Sequence, residues 1–238
     1  MMIVWNERSV RWFRNASEYT GYNKKLAQIL LEYIPSHKSL CDMGCGAAQI
    51  DFELAKTIEQ ITCIDISQVV IDAVEQQAKE LGITNLTTKC MDASKAQGEW
   101  ETVLALFHGG ANVIPKYLPL VKDQLILASH GSLIGGFGPE HRKVTKCFDT
   151  NGIKAYLDEI GVKYHLRQVE LEYGQPFSDL QDAAEFVTAY TMPMEKDELD
   201  AYLQEHLEHT GNPRFPYYLP KKKHLGLFVI RRDENENI

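Results

Sequence analysis

The chain has 238 residues, 44% of them hydrophobic and 24% charged, with a formal net charge of −8. This composition is typical of a globular protein and excludes a disordered, collagenous or low-complexity chain. The length suits one large domain or a domain with an insertion. The acidic balance argues against a protein held mainly on nucleic-acid phosphates.

Five cysteines at irregular spacing indicate reduced thiols in a cytoplasmic protein rather than a disulfide framework. We recognise no signal peptide, and no apolar stretch approaches the roughly 20 residues that cross a bilayer. The spacing Cys41-x3-Cys45 lacks the further cysteines of a metal or cluster site, so no bound metal is expected.

Short apolar runs alternate with helical patterns up to residue 137, which is typical of a parallel sheet covered by helices on both faces. A helical pattern at Leu118, Val121 and Leu125 places a helix just before the fifth strand. The five predicted strands are Ser39–Met43, Ile61–Asp65, Leu86–Met91, Thr102–Phe107 and Ser132–Gly135.

The last hundred residues have a different pattern. Val169, Leu171 and Tyr173 alternate with polar residues, as in a strand with one solvated face, and Leu225–Ile230 predicts a final strand. Helical patterns lie between them at 180–190 and 196–209, followed by an aromatic, proline-rich piece at 213–220. Lys221–Lys223 is interpreted as a solvated turn.

The first strand runs into Gly44-x-Gly46 at a helix start, where the absence of a Cβ lets the backbone approach a ligand. A dinucleotide-binding loop has a third glycine three residues after the second, and this chain has Gln49 there. The chain has instead an acid, Asp42, two residues before the first glycine. A carboxylate there suits a ligand that brings an ammonium group and no phosphate.

Acids close three successive predicted strands, and ligands of open α/β sheets bind at such strand ends. On Asp42-x-Gly44-x-Gly46, Asp65 and Cys90-Met91-Asp92-Ala93, the chain resembles the class I S-adenosylmethionine-dependent methyltransferases. The resemblance covers residues 36 to about 137. An alternative stays open for Asp65, which lies 21 residues after Gly44, near the dinucleotide spacing, and which could also cap the next helix.

The resemblance implies an α/β fold with a seven-stranded, mostly parallel Rossmann-like sheet. Helices would cover both faces, and the last strand would be antiparallel with a helical insertion before it. The implied division is a methyltransferase domain at 36–238 and an N-terminal helical lid at 1–35. The insertion, at about 174–222, would cover the substrate site.

The resemblance also implies S-adenosylmethionine as the cofactor. Asp42 would stand near its methionine end, Asp65 would accept both ribose hydroxyls, and Asp92 would accept the adenine amino group. The expected cofactor residues are Asp42, Gly44, Cys45, Gly46, Asp65, Ile66, Met91, Asp92, Ala93 and Phe107.

Methyl transfer from a sulfonium is an in-line displacement, so alignment of the reactants can supply most of the rate. A general base is needed only where the acceptor must lose a proton early, and the candidate is His108, with a solvated loop histidine as the alternative. Candidate substrate residues, which could equally be aromatic or polar cover of the sheet, are Tyr19, Tyr22, His141 and Tyr217.

We expect a small-molecule acceptor, methylated at O, N or S, because no nucleic-acid or protein-binding module is appended. Methylation of RNA or protein stays open, as do a non-catalytic cofactor-binding protein and an NAD(P)-linked reductase. DNA is disfavoured because the fourth strand ends in Phe107-His108-Gly109-Gly110 instead of an Asn-Pro-Pro-aromatic motif. No membrane partner is expected, and a homodimer is left open.

Overall fold

The computed structural model describes residues 5–131, 134–142, 144–145 and 149–235. The helices are α1 (Glu7–Thr20), α2 (Tyr22–Leu31), α3 (Gln49–Leu54), α4 (Gln68–Glu80), α5 (Ile114–Tyr117), α6 (Thr150–Glu159), α7 (Leu180–Tyr190) and α8 (Lys196–His206). The strands are β1 (Ser39–Met43), β2 (Gln60–Asp65), β3 (Leu86–Cys90), β4 (Trp100–Leu106), β5 (Val121–His130), β6 (Ile134–Gly135), β7 (Val144–Thr145), β8 (His165–Glu172), β9 (Gln175–Phe177), β10 (Glu208–His209), β11 (Tyr217–Leu219) and β12 (Lys222–Arg231).

The central sheet has seven strands in the order β3-β2-β1-β4-β5-β12-β8. The first five of these pair in parallel, whereas β12 is antiparallel to both β5 and β8. The predicted seven-stranded, mostly parallel sheet with an antiparallel last strand is confirmed. Strand order reverses between β1 and β4, and the crevice outside the carboxyl ends of such strands is where open α/β sheets bind ligands.

The fifth strand of the sheet is Val121–His130, so the helix predicted through Leu125 is wrong. The helix before it is short, and it ends at Tyr117. Strand β5 lies between β4 and β12 and is buried continuously from residue 124 to 129, so its apolar residues form a run and not an alternation. Of the predicted strand 132–135, residues 132 and 133 lie outside the described residues, and Ile134–Gly135 pairs with β7 outside the central sheet.

Helices cover both faces of the central sheet, as the alternating side chains of β4 show. Leu104 packs with apolar residues of α2, α3 and α4, and Val103 packs on the opposite face with residues of α5 and α6. Both side chains are fully buried. Each fully buried aliphatic side chain contributes about 1.5–3 kcal/mol to folding relative to an exposed one, so these two layers fix the sheet that carries the site.

A third apolar cluster joins α1 to residues 174–222, which contain α7 and α8 together with a three-stranded sheet in the order β10-β11-β9. The sequence predicted a helical insertion here. The segment has the two helices, and it also has a small sheet in which Tyr217–Leu219 pairs with β9. Helix α1 is held to α7 through Asp182, whose carboxylate accepts hydrogen bonds from the Arg11 guanidinium at 2.6 and 3.1 Å and from the Trp12 indole at 2.7 Å.

Within the described residues, none of the helices combines the length and apolar character that crossing a membrane requires. Nor do three or more His, Cys, Asp or Glu side chains cluster as metal ligands in those same ranges.

Candidate cofactor and acceptor site

The loop after β1 makes a tight turn that depends on small residues. Gly44 and Gly46 have φ angles of +80° and +53°, in the left-handed region that favours glycine. A Cβ added to Gly44 would lie 2.4 Å from Nδ1 of His108, and one added to Gly46 would lie 2.8 Å from the Trp5 ring. The loop is therefore bare backbone beneath two aromatic rings, and Trp5 is a neighbour of the loop that sequence reasoning missed.

Ala48 adopts a third left-handed conformation in this loop, with a φ of +49°. Sequence reasoning looked for the third small residue at Gln49, where a dinucleotide loop has it, and so missed Ala48. Only a glycine avoids Cβ strain in this region, and alanine is the next smallest residue. The turn is anchored to β2 by the backbone N–H groups of Gly44 and Cys45, which donate to the Ile64 carbonyl at 2.7 and 3.0 Å.

Asp65 is the last residue of β2, and its side chain is hydrogen-bonded to the glycine loop. Its carboxylate accepts hydrogen bonds from the backbone N–H of Gly46 at 3.0 Å and of Ser67 at 2.9 Å, one on each oxygen. A carboxylate oxygen has two acceptor sites, so each still has one for a ligand hydroxyl. The next residue, Ile66, is 71% exposed and presents an apolar surface at the strand end.

The end of β3 lies beside the end of β2 in parallel register, with Cys90 opposite Asp65. The N–H of Met91 donates to the Asp65 carbonyl at 2.9 Å. Asp92 accepts a hydrogen bond from the backbone N–H of Ser94 at 2.9 Å, which holds the pKa of its carboxyl below the ordinary value, and Ala93 behind it is buried. The sheet thus brings the ends of β2 and β3 to one edge, with a carboxylate on each.

The third acid, Asp42, lies deeper than the other two and faces Asp51 of α3. Asp42 is 2% exposed and Asp51 is fully buried. Among the described residues, Oδ1 of Asp42 and both carboxylate oxygens of Asp51 have no hydrogen-bond partner at standard geometry. Burial raises the pKa of Asp51 to about 7, and burial together with the negative charge of Asp51 raises the pKa of Asp42.

The Asp42–Asp51 pair therefore retains a proton near neutral pH, because two buried like charges in contact cannot both ionise cheaply. Sequence reasoning missed Asp51. The available signal was an acid flanked by Ile50 and Phe52 on a helix that packs against the sheet, since both neighbours are buried.

Two consecutive residues after β4 link the glycine loop to the far side of the crevice. Phe107 has a φ of +58°, a conformation that costs a non-glycine residue about 1–2 kcal/mol. The ring of His108 lies against Gly44, and its Nε2 is 3.1 Å from the Tyr117 hydroxyl. Burial lowers the pKa of His108 below its ordinary value of 6.5, so the imidazole is mostly neutral near pH 7.

Of the four predicted substrate residues, only Tyr22 lies close to these strand ends. It is buried against Tyr173 at 4.8 Å between ring centroids, and the ammonium nitrogen of Lys223 lies 5.2 Å from its ring centroid. The same nitrogen lies 3.5 Å from the ring centroid of Phe107 and 4.4 Å from that of Tyr173. The interpretation of the lysine run as a solvated turn is wrong at Lys223, and Lys221 lies over a ring as well.

The other three predicted substrate residues are dispersed. Tyr19 packs on Tyr218 at 4.8 Å, and Tyr217 belongs to β11, where it contacts His209. His141 is 69% exposed and lies 2.8 Å from the Glu198 carboxylate. It lines a cleft of about 470 Å³ beside α8, whose described lining residues include none from the glycine loop or from the ends of β2 and β3.

The fold class follows from this arrangement. A seven-stranded sheet with an antiparallel member next to its edge carries, at the carboxyl ends of β1, β2 and β3, a glycine turn and three acids. This is the architecture of the class I S-adenosylmethionine-dependent methyltransferases.

The comparison with known families agrees: residues 40–117 match the methyltransferase domain family. This match covers about a third of the chain, from β1 through α5. No curated protein sequence matches the chain.

Solved structures with this fold include three informative ones. Magnesium protoporphyrin IX methyltransferase from Synechocystis PCC 6803, with bound S-adenosylhomocysteine, has 16% identity over 96% of this chain and 89% of that chain, with a TM-score of 0.53. A SAM-dependent methyltransferase from Aquifex aeolicus has 13% identity over 71% and 94%, with a TM-score of 0.54. Precorrin-6y C5,15-methyltransferase from Geobacter metallireducens has 10% identity over 87% and 88%, with a TM-score of 0.52.

Proposed function

We propose that the protein transfers the methyl group of S-adenosylmethionine to an O, N or S atom of a small molecule. The observation that carries this proposal is the bare glycine turn beside two carboxylates that keep acceptor capacity, those of Asp65 and Asp92. Two of the structural neighbours are named for methylating a porphyrin and a precorrin, which are small molecules, and this supports the substrate class.

The cofactor fits the residues at the strand ends. The backbone at Gly44 and Gly46 would lie against its methionine part once the covering rings of Trp5 and His108 move off the turn. Asp42 has a buried oxygen to which an ammonium group can donate, directly or through water. Asp65 would accept the ribose hydroxyls. Ile66, Met91 and Ala93 would flank the adenine, with Asp92 accepting its amino group. When bound, the cofactor supplies an electrophilic methyl group on a sulfonium.

The chain's own contribution is alignment and closure. Trp5 and His108 cover the glycine turn, and Phe107 lies next to His108 on the side proposed for the acceptor. These side chains could hold both reactants in line and exclude water. His108 is the candidate to receive a proton from the acceptor, because burial keeps its imidazole neutral and its Nε2 is fixed by Tyr117. Helix α1 and the insertion, residues 174–222, would close the acceptor side.

A thermal-shift measurement tests the cofactor assignment. S-adenosylhomocysteine should raise the melting temperature and NADH should not, because a ligand at about 100 times its Kd stabilises the folded state by about 2.7 kcal/mol. Asp65→Asn should weaken the shift, and Asp72→Asn on the exposed face of α4 should leave it unchanged. Stabilisation by NADH alone would show that the chain binds a dinucleotide instead.

The substrate class is tested with radiolabelled S-adenosylmethionine and a cell extract. We expect label in the low-molecular-weight filtrate that depends on the added protein. Label that stays with protein or RNA, and is released by protease or ribonuclease, would assign the macromolecular alternative.

A further inference from the structure

The strand ends carry a second feature, an aromatic cage made of Tyr22, Phe107 and Tyr173. The ammonium nitrogen of Lys223 lies 3.5 to 5.2 Å from the three ring centroids. Cations within about 6 Å of a ring centroid are attracted by the negative face of the ring. The three faces come from separate parts of the chain, namely the start of α2, the end of β4 and the end of β8.

One ring of the cage belongs to the residue that precedes His108, which covers the proposed cofactor turn. Phe107 and His108 are consecutive, and the His108 ring contacts Gly44 of the cofactor turn. Phe107 also stacks on His130 at the end of β5, at 4.9 Å between centroids, so its ring is directed away from the turn and toward β12. Its left-handed backbone maintains this orientation at a cost in strain, and strain of this kind concentrates at functional positions.

The rings attract a cation through their faces and not through phenolate charge. Burial raises the pKa of Tyr173 to about 12 and that of Tyr22 well above its ordinary value, so both phenols stay neutral. The hydroxyl of Tyr22 is buried and has no hydrogen-bond partner among the described residues. The cage is therefore a site for an ammonium group, and the Tyr22 hydroxyl in its wall is a polar atom that can still form a hydrogen bond.

The geometry points to an amine as the methyl acceptor, with its nitrogen bound over Phe107, Tyr173 and Tyr22 in the place that the Lys223 ammonium takes in this structure. The inference rests on the proposed methyltransferase function. It requires Lys223, the second residue of β12, which is half-buried, to move aside when the acceptor binds.

The cage rings can stabilise the positive charge that methyl transfer places on the acceptor nitrogen. An amine that arrives as an ammonium group first gives one proton to water. Its lone pair then forms the new N–C bond while the C–S bond of the donor breaks, and the electron pair stays on sulfur as S-adenosylhomocysteine leaves. Positive charge thus moves from sulfur to nitrogen. Ring faces placed at the nitrogen stabilise the charge that develops there, which lowers the barrier. A product that keeps an N–H then gives its proton to water as it leaves.

The test measures binding of tetramethylammonium to the protein loaded with S-adenosylhomocysteine, with tert-butanol as the neutral probe of similar shape. We expect Lys223→Met to strengthen tetramethylammonium binding by about tenfold, because the internal competitor is removed, with no change for tert-butanol. In that background, Phe107→Leu should reverse the gain. The matched control is Lys222→Met, since Lys222 is exposed and its ammonium group contacts the Glu170 carboxylate.

Retained binding of S-adenosylhomocysteine shows that each variant is folded, and Lys223→Gln replaces the Met variant should that one fail to fold. Equal affinity of wild type and variant for tetramethylammonium would overturn the cage assignment and leave the methyltransferase assignment intact. Binding of acetate that is lost in the Lys223 variant would also overturn it, because Lys223 would then be an anion-binding residue. Failure of every form to bind S-adenosylhomocysteine would refute the proposed function and this inference with it.

Discussion

Replacing Asp51 with Asn should change how stability depends on pH. In the folded protein, burial raises the pKa of Asp51 from the ordinary 3.8 to about 7, which corresponds to about 4 kcal/mol of unfolding free energy. A carboxyl whose folded pKa is raised stabilises the fold fully only below its unfolded pKa, and the contribution is lost as the pH rises toward the folded pKa. The affected window therefore runs from about pH 4 to pH 7.

Urea unfolding of the ligand-free protein between about pH 5 and pH 8 covers most of that window. The advantage of Asp51→Asn over wild type should grow by about 3 kcal/mol across this range, because the neutral amide has no ionisation to resist. The matched control, Asp200→Asn on the exposed side of α8, should give a profile parallel to wild type. Parallel profiles for wild type and Asp51→Asn would refute the buried carboxyl pair.

Three further variants test the glycine turn and the docking of α1 on α7. Gly44→Ala should lower affinity for S-adenosylhomocysteine by at least about tenfold in calorimetry, because its Cβ would meet His108 at a φ of +80°; unchanged affinity would place the ligand elsewhere. Ala48→Gly should change the unfolding free energy by less than about 1 kcal/mol, since relief of strain and loss of a buried methyl oppose each other. Asp182→Ala should cost roughly 2–3 kcal/mol in urea unfolding, because Arg11 and the indole at position 12 lose their buried acceptor, and a smaller loss would show that α1 docks through apolar contacts alone.

The features of the candidate site that the sequence predicted, the strand-end acids and the glycine turn, are formed by residues that are close together in the chain. Asp65 and Asp92 each close a strand whose apolar pattern is visible in the chain, and parallel pairing alone brings such ends to one edge. The glycine turn is local for the same reason, since its backbone conformation requires small residues at fixed spacing from Asp42. The identity of the fold followed from these local features.

The error at the fifth strand has a physical origin. A central strand with helices on both faces is a continuous apolar run, and any such run contains residues at helical spacing. Leu118 belongs to the short helical turns before the strand, whereas Leu125 belongs to the strand, so the apparent stripe combined two elements. Length could have decided between them, because Pro115 and Pro119 leave little room for a regular helix before Val121.

The residues that were missed meet only through the folded chain. Asp51 becomes unusual because α3 places it against Asp42, and no pattern around either residue indicates a shared proton. The same holds for Lys223: its neighbours in sequence, Lys222 and His224, are exposed, and the rings around it come from positions 22, 107 and 173.

The buried acids and the aromatic cage divide the crevice into two electrostatic environments on either side of His108. On the β1–β3 side, the Asp65 carboxylate and the acceptor oxygens of the buried Asp42–Asp51 pair favour a ligand that arrives with positive charge. On the β5–β12 side, neutral ring faces favour positive charge held over them without adding a carboxylate that would bind an ion pair. Methyl transfer to an amine moves charge from the first environment to the second. A cage of neutral rings can stabilise that charge and still release the product, whereas a buried carboxylate at the same place would hold it more tightly.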